Sequence, residues 1–169
     1  TSKVTDMSGM FEYCTALTSL NLVNFNTTNV TDMGTMFQCC ESLESLDLSN
    51  FVTNNVRNMG WMFYDCENLK ILNMSSFDTS NVTAAYYMFS YSGLEQLDIS
   101  NFDLSALEDS EYYIGSIFGR KLAEIKTPKN LSIDIVLSTD GAAWEDEAGN
   151  QYYELPKGKT ESITLTKVE

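Results

Sequence analysis

One property limits this chain more than any other: it repeats itself. Residues 4–29, VTDMSGMFEYCTALTSLNLVNFNTTN, return as VTDMGTMFQCCESLESLDLSNFVTNN over 30–55 and as VRNMGWMFYDCENLKILNMSSFDTSN over 56–81, a period of 26 residues without a gap. A fourth copy starts at Val82 and loses a residue near Gly93, and a degraded fifth starts at Leu107 with an insertion before Ile117 and Phe118. A unit of this length cannot bury its own apolar side and needs its neighbours to do so.

Set in columns, the repeat assigns each position a task. LxxLxL recurs as Leu17, Leu20, Leu22; Leu43, Leu46, Leu48; Leu69, Leu72, Met74; Leu94, Leu97, Ile99; and, reduced, as Leu122 and Ile125. Its last part alternates apolar and polar residues as a half-buried strand does, which predicts one parallel strand per repeat. Phe25, Phe51, Phe77 and Phe102 form a second column, expected to stack rings along the core. The MxxMF arm, Met33, Met36 and Phe37 in the second copy, has i, i+3, i+4 spacing after an acidic residue, which predicts a short helix or turn. The fold so predicted is a repeat solenoid of leucine-rich-repeat type, a parallel β-strand plus a short helix or turn per 26-residue coil over residues 1–128. The pattern then changes to LSIDIVLS, a Gly-Asn turn between aromatic arms, and KTESITLTKV, which predicts a small C-terminal β cap over 129–169 covering an open sheet edge.

Cys14, Cys40 and Cys66 share one column, and Cys39 is an extra beside it. Neighbouring units about 4.8 Å apart leave a disulfide within reach, but in-register side chains run side by side, so buried free thiols are expected in that column and Cys39 is the thiol left for exposure. With no His and no CxxC pair, the sequence offers no metal cluster and no cofactor site. Asp146, Glu147, Gly149 and Asn150 have oxygen donors in a turn, at a spacing that reads as a plain hairpin and not a calcium loop.

Charge narrows the partners. Ten Lys and Arg against 24 Asp and Glu leave −14, divided as −10 over 1–128 and −4 over 129–169. That field repels phosphate backbones and anionic lipid, so neither nucleic acid nor direct membrane insertion is expected. Histidine is absent and no Gly-rich phosphate loop occurs, so the chain is not expected to be an enzyme; the remaining catalytic option is a carboxylate pair for a carbohydrate-active enzyme. The opening TSKV aligns with TTNV at 27–30, as in a fragment that begins inside a repeat.

VTDMSGMF, the CxxLxxLxL segment and SNFDTSNVT resemble the 26-residue bacterial surface-protein repeat of the Listeria and mycoplasma lipoprotein type, a relative of BspA-like leucine-rich repeats. The resemblance covers residues 1 to about 105 and carries over no catalytic residues. It implies a secreted or cell-surface protein of a Gram-positive bacterium or mycoplasma, an adhesion module, with a host or bacterial surface protein or a glycan as partner. A structural spacer projecting another domain from the cell wall is the alternative, and a monomer is expected.

The candidate contact residues are those where aromatics leave the consensus. Ser8-Gly9 and Gly34-Thr35 become Gly60-Trp61 and then Tyr86-Tyr87; Glu12 and Gln38 give way to Tyr64; Tyr91 shares the column of Tyr13. Tyr112 and Tyr113, in the insertion, are expected near the same region. Exposed Trp and Tyr offer large contact area at small entropic cost.

Overall fold

In the computed structural model, which describes residues 2–108, 118–137 and 140–168, parallel bridges join equivalent residues of successive repeats. Asp6 is bridged to Asp32, Asp32 to Asn58, and Asn58 to Ala84. From there the amides of Met33, Thr35, Phe37 and Cys39 donate to the carbonyls of Asn58, Gly60, Met62 and Tyr64 at 2.8–3.0 Å. The amides of Met7, Gly9, Phe11 and Tyr13 reach the second repeat in the same way. The amides between, Met36, Gln38 and Cys40, close tight turns onto Met33, Thr35 and Phe37.

That bonding corrects the predicted fold class. An α-helix needs each amide for an acceptor four residues back in its own segment, and here every second amide is committed to the next repeat. Left-handed backbone at Thr35 and Cys39 (φ 55° and 57°) forbids a helix outright. The MxxMF arm is therefore a run of turns, and no helix occurs among the described residues. Seven short strands form instead among those residues: β1 (Ser45–Asp47), β2 (Ile71–Asn73), β3 (Gln96–Asp98), β4 (Glu124–Lys126), β5 (Trp144–Glu145), β6 (Gln151–Tyr152) and β7 (Thr164–Lys167). They make two sheets, β1-β2 and β3-β4-β7-β5-β6, so the chain is all-β and does not close into a leucine-rich-type solenoid. The break between β2 and β3 follows the lost residue. A β-carbon on Gly93 would stand 2.3 Å from the Glu67 carbonyl, so the shortened fourth repeat presses its backbone against the third.

The apolar columns supply the core. Met33, Met36, Phe37, Met59, Met62 and Phe63 are fully buried, and Leu46 on β1 lies opposite Leu72 on β2. Phe11, Phe37, Phe63 and Phe89 stack in one series at 5.4–5.7 Å with interplanar angles of 3–8°. Phe77 and Phe102 stack likewise at 6.2 Å. Polar columns join the repeats at their turns. Asn29, Asn55 and Asn81 donate to carbonyls of the preceding repeat, while the buried hydroxyls of Thr27, Thr53 and Thr79 donate to the following one.

The C-terminal strands continue the second sheet. β7 pairs antiparallel with β4, Ile125 opposite Leu165, and with β5, which turns into β6 through Asp146–Asn150. Gly149, at φ 80°, takes the left-handed position of that turn. Among the described residues 131–137 of the alternating LSIDIVLS segment, only Val136 bridges, to Glu154, and no full strand forms. No helix among the described residues is long and apolar enough to cross a membrane.

Candidate functional site

The turn run fixes where the aromatic residues point. Gly9, Thr35, Trp61 and Tyr87 occupy one column, all left-handed, at φ 63°, 55°, 54° and 54°. Their amides lie in one ladder, Gly9 to the Gly34 carbonyl, Thr35 to Gly60 and Trp61 to Tyr86, at 2.9–3.0 Å. Equivalent backbone sends equivalent side chains out in one direction. Trp61 and Tyr87 accordingly lie 6.3 Å apart and within 10° of parallel, with the Tyr86 ring edge-on to Trp61 at 4.3 Å. Gly60 is required beneath them, since a β-carbon there would fall 2.6 Å from Tyr86 Cε2.

A second column runs beside the first: Tyr13, Cys39, Asp65 and Tyr91, again left-handed, at φ 57–59°. Tyr91 meets Tyr64 edge-on at 5.4 Å. Burial, and then the neighbouring Tyr91 phenol, push the Tyr64 hydroxyl above the ordinary tyrosine range, with Asp65, Cys39 and Tyr87 adding to the shift. Tyr64 thereby links the two columns. The structure brings together Trp61, Tyr64, Tyr86, Tyr87 and Tyr91; Tyr112 and Tyr113 lie outside the described residues. Tyr91 is 46 % exposed, and the other four are half-buried.

Arg120 belongs to the same strip and was not among the expected residues. Its guanidinium carbon stands 5.3 Å from the Tyr91 ring centre, close enough for a cation–π contact. The signal was available: aligning Phe118 with Phe89 puts Arg120 in the column of Tyr91.

The cysteines are free thiols, and their exposure corrects one expectation. Cys39 is buried and Cys14 is the partly accessible one. The Cys40 and Cys66 thiols donate to the carbonyls of Phe11 and Phe37 at 3.2 and 3.1 Å. Burial raises them to about 11 and about 12. Thiols so held in the protonated form make poor nucleophiles.

At the β5–β6 hairpin the Asp146 carboxylate accepts from the amides of Ala148 and Asn150, the Asn150 side chain and the Tyr152 hydroxyl. These bonds, led by those from Asn150, bring it down to about 2. Its oxygens are occupied by the turn itself, in accord with the plain hairpin reading.

The residues therefore define an all-β repeat protein whose adjacent turn runs carry a half-buried aromatic strip. Its family can be stated: a model described as "Mycoplasma protein of unknown function, DUF285" matches residues 1–102 and 69–118, and the chain belongs to that family. No curated protein sequence and no solved structure matches it.

Proposed function

We propose that this chain is a non-catalytic interaction module that acts as a monomer outside the cell and binds a surface protein or glycan through the strip of Trp61, Tyr64, Tyr86, Tyr87 and Tyr91. One observation carries the reading. Trp61 and Tyr87 hold left-handed backbone, which costs a non-glycine residue about 1–2 kcal/mol, at positions where Gly9 shows that glycine also serves. Bulky rings kept there, half-buried and stacked on one another, support a purpose beyond folding, since Gly9 and Thr35 hold the same backbone without a ring. The resemblance to BspA-like surface-protein repeats supports the extracellular, adhesive setting.

The test is substitution. Trp61→Ala and Tyr87→Ala should keep the circular dichroism and cooperative melting of the parent while weakening capture in glycan-array and matrix-protein screens. Parent-level binding by both variants would remove the strip. The regular inter-repeat ladder also suits a spacer projecting another domain, a reading that expects no ligand in any such screen.

A further inference from the structure

The column that ends in Trp61 and Tyr87 has a step in it. Repeats one and two place Gly9 and Thr35 where repeats three and four place the two rings, in equivalent backbone on one ladder. Both ring neighbours of Trp61, Tyr86 and Tyr87, come from the fourth repeat. Its side toward the second repeat meets only the small Thr35 in its column, and with repeats about 4.8 Å apart the shelf formed by Thr35 and Gly9 is roughly one side chain deep.

The floor of this shelf carries acceptors. Glu12 Oε2 and Thr35 Oγ1 converge above Gly9, 3.1 and 3.6 Å from where a β-carbon on that residue would stand. Charge over this part of the chain has one sign. Between Lys3 and Arg57 there is no Lys or Arg, while Asp6, Glu12, Asp32, Glu41, Glu44 and Asp47 make six acids. An anionic ligand is repelled here and a cation is drawn in. The strip already shows what sits well on such rings, since the chain's own Arg120 covers Tyr91.

We propose that the face of Trp61 above Thr35 receives an arginine side chain from a basic segment of a partner protein, the guanidinium lying on the indole while its N–H groups reach Glu12 and Thr35. This rests on the strip being a binding surface, and it names the partner's chemistry. A planar cation matches both requirements at once: a π-face to stack on and acceptors at its edge.

Hexaarginine and its citrulline counterpart, which keeps the shape and lacks the charge, distinguish the possibilities. Of the two tryptophans, Trp144 is 1 % exposed, so a change in indole fluorescence on titration reports Trp61. We expect saturable quenching by hexaarginine with at least about tenfold weaker binding of the citrulline peptide. Calorimetry should show affinity lost in Trp61→Ala and in Thr35→Trp, which fills the shelf, and reduced several-fold in Glu12→Gln. Equal binding of the two peptides, or hexaarginine affinity unchanged in Thr35→Trp and Trp61→Ala, overturns the proposal, the latter by showing a diffuse attraction to a protein of charge −14. Binding of chitotriose that Trp61→Ala abolishes, with no hexaarginine binding at the shelf, sinks the cationic partner and leaves the aromatic strip standing. If no ligand captured in the array or matrix screens is weakened by Trp61→Ala or Tyr87→Ala, the strip itself falls.

Discussion

Tyr87 holds its ring 6.3 Å from that of Trp61 and within 10° of parallel, and both residues sit at φ 54°. Packing between the two rings compensates part of the backbone strain each carries. Tyr13 has the same backbone, at φ 58°, but is 64 % exposed. Asparagine tolerates left-handed backbone far better than tyrosine. Tyr13→Asn should therefore raise stability by about 1 kcal/mol, read from urea denaturation, whereas Trp61→Asn should be nearly neutral because relief of strain is offset by the lost contacts with Tyr86 and Tyr87. A destabilised Tyr13→Asn would mean that the left-handed turns are not strained.

The thiol column gives two predictions, one on reactivity and one on pH. At pH 8, iodoacetamide should modify native protein at Cys14, the partly accessible cysteine, and reach Cys40 and Cys66 only on unfolding. Raising pH should also destabilise the fold. Cys40 and Cys66 ordinarily titrate at 9.0 and are pushed by burial to about 11 and about 12. Between those values the folded chain keeps protons that the unfolded chain has lost, so this contribution is whole below about pH 9 and disappears as pH rises toward about 12. Cys66→Ala should flatten that part of the stability profile.

Residues 26 apart do lie against one another, and that much was legible from the letters alone. The columns of Leu46 and Leu72, Phe37 and Phe63, and Trp61 and Tyr87 all follow from spacing. Local conformation was less legible. Met33, Met36 and Phe37 carry helical spacing, yet a turn run that sends alternate amides to the next repeat buries the same three positions. Periodicity reports which side chains go inward and says nothing about where the backbone amides go. The choice was decided by Thr35 and Cys39, whose left-handed φ no composition rule assigns to Thr or Cys. Glu12 and Thr35 were invisible as site residues for a similar reason, because an ordinary polar residue becomes notable only when a neighbouring column changes size.

Asp146 organises the β5–β6 hairpin through donors from three residues, Ala148, Asn150 and Tyr152. Those bonds favour the carboxylate, bringing it from 3.8 down to about 2. Its contribution is therefore complete above about pH 4 and is lost as pH falls through about 2. Asp146→Ala should speed amide hydrogen exchange at Ala148 and Asn150 at neutral pH and remove that acid-side dependence, while the first three repeats exchange as before. Faster exchange spread through the first three repeats instead would show that the hairpin and the repeats open as one unit.

The strongest demand concerns excision. Removing residues 30–55 joins Asn29 to Val56, which recreates the native Asn55-Val56 junction, and brings Met7 opposite Asn58 in place of Asp32. Phe63 then stacks on Phe11, and the Cys66 thiol meets the Phe11 carbonyl that Cys40 now uses. Every donor finds the same kind of acceptor. The shortened chain should fold in one cooperative step with a lower denaturant slope, less stable by about 1–4 kcal/mol for the 26 residues removed. Removing 30–54 instead leaves Asn55 as one residue too many at the turn, a change of length like the one that presses the shortened fourth repeat against the third at Gly93. That variant should melt at lower denaturant than the 26-residue deletion. If the two deletions melt alike, the columns of Met, Phe and Leu do not hold this chain in register.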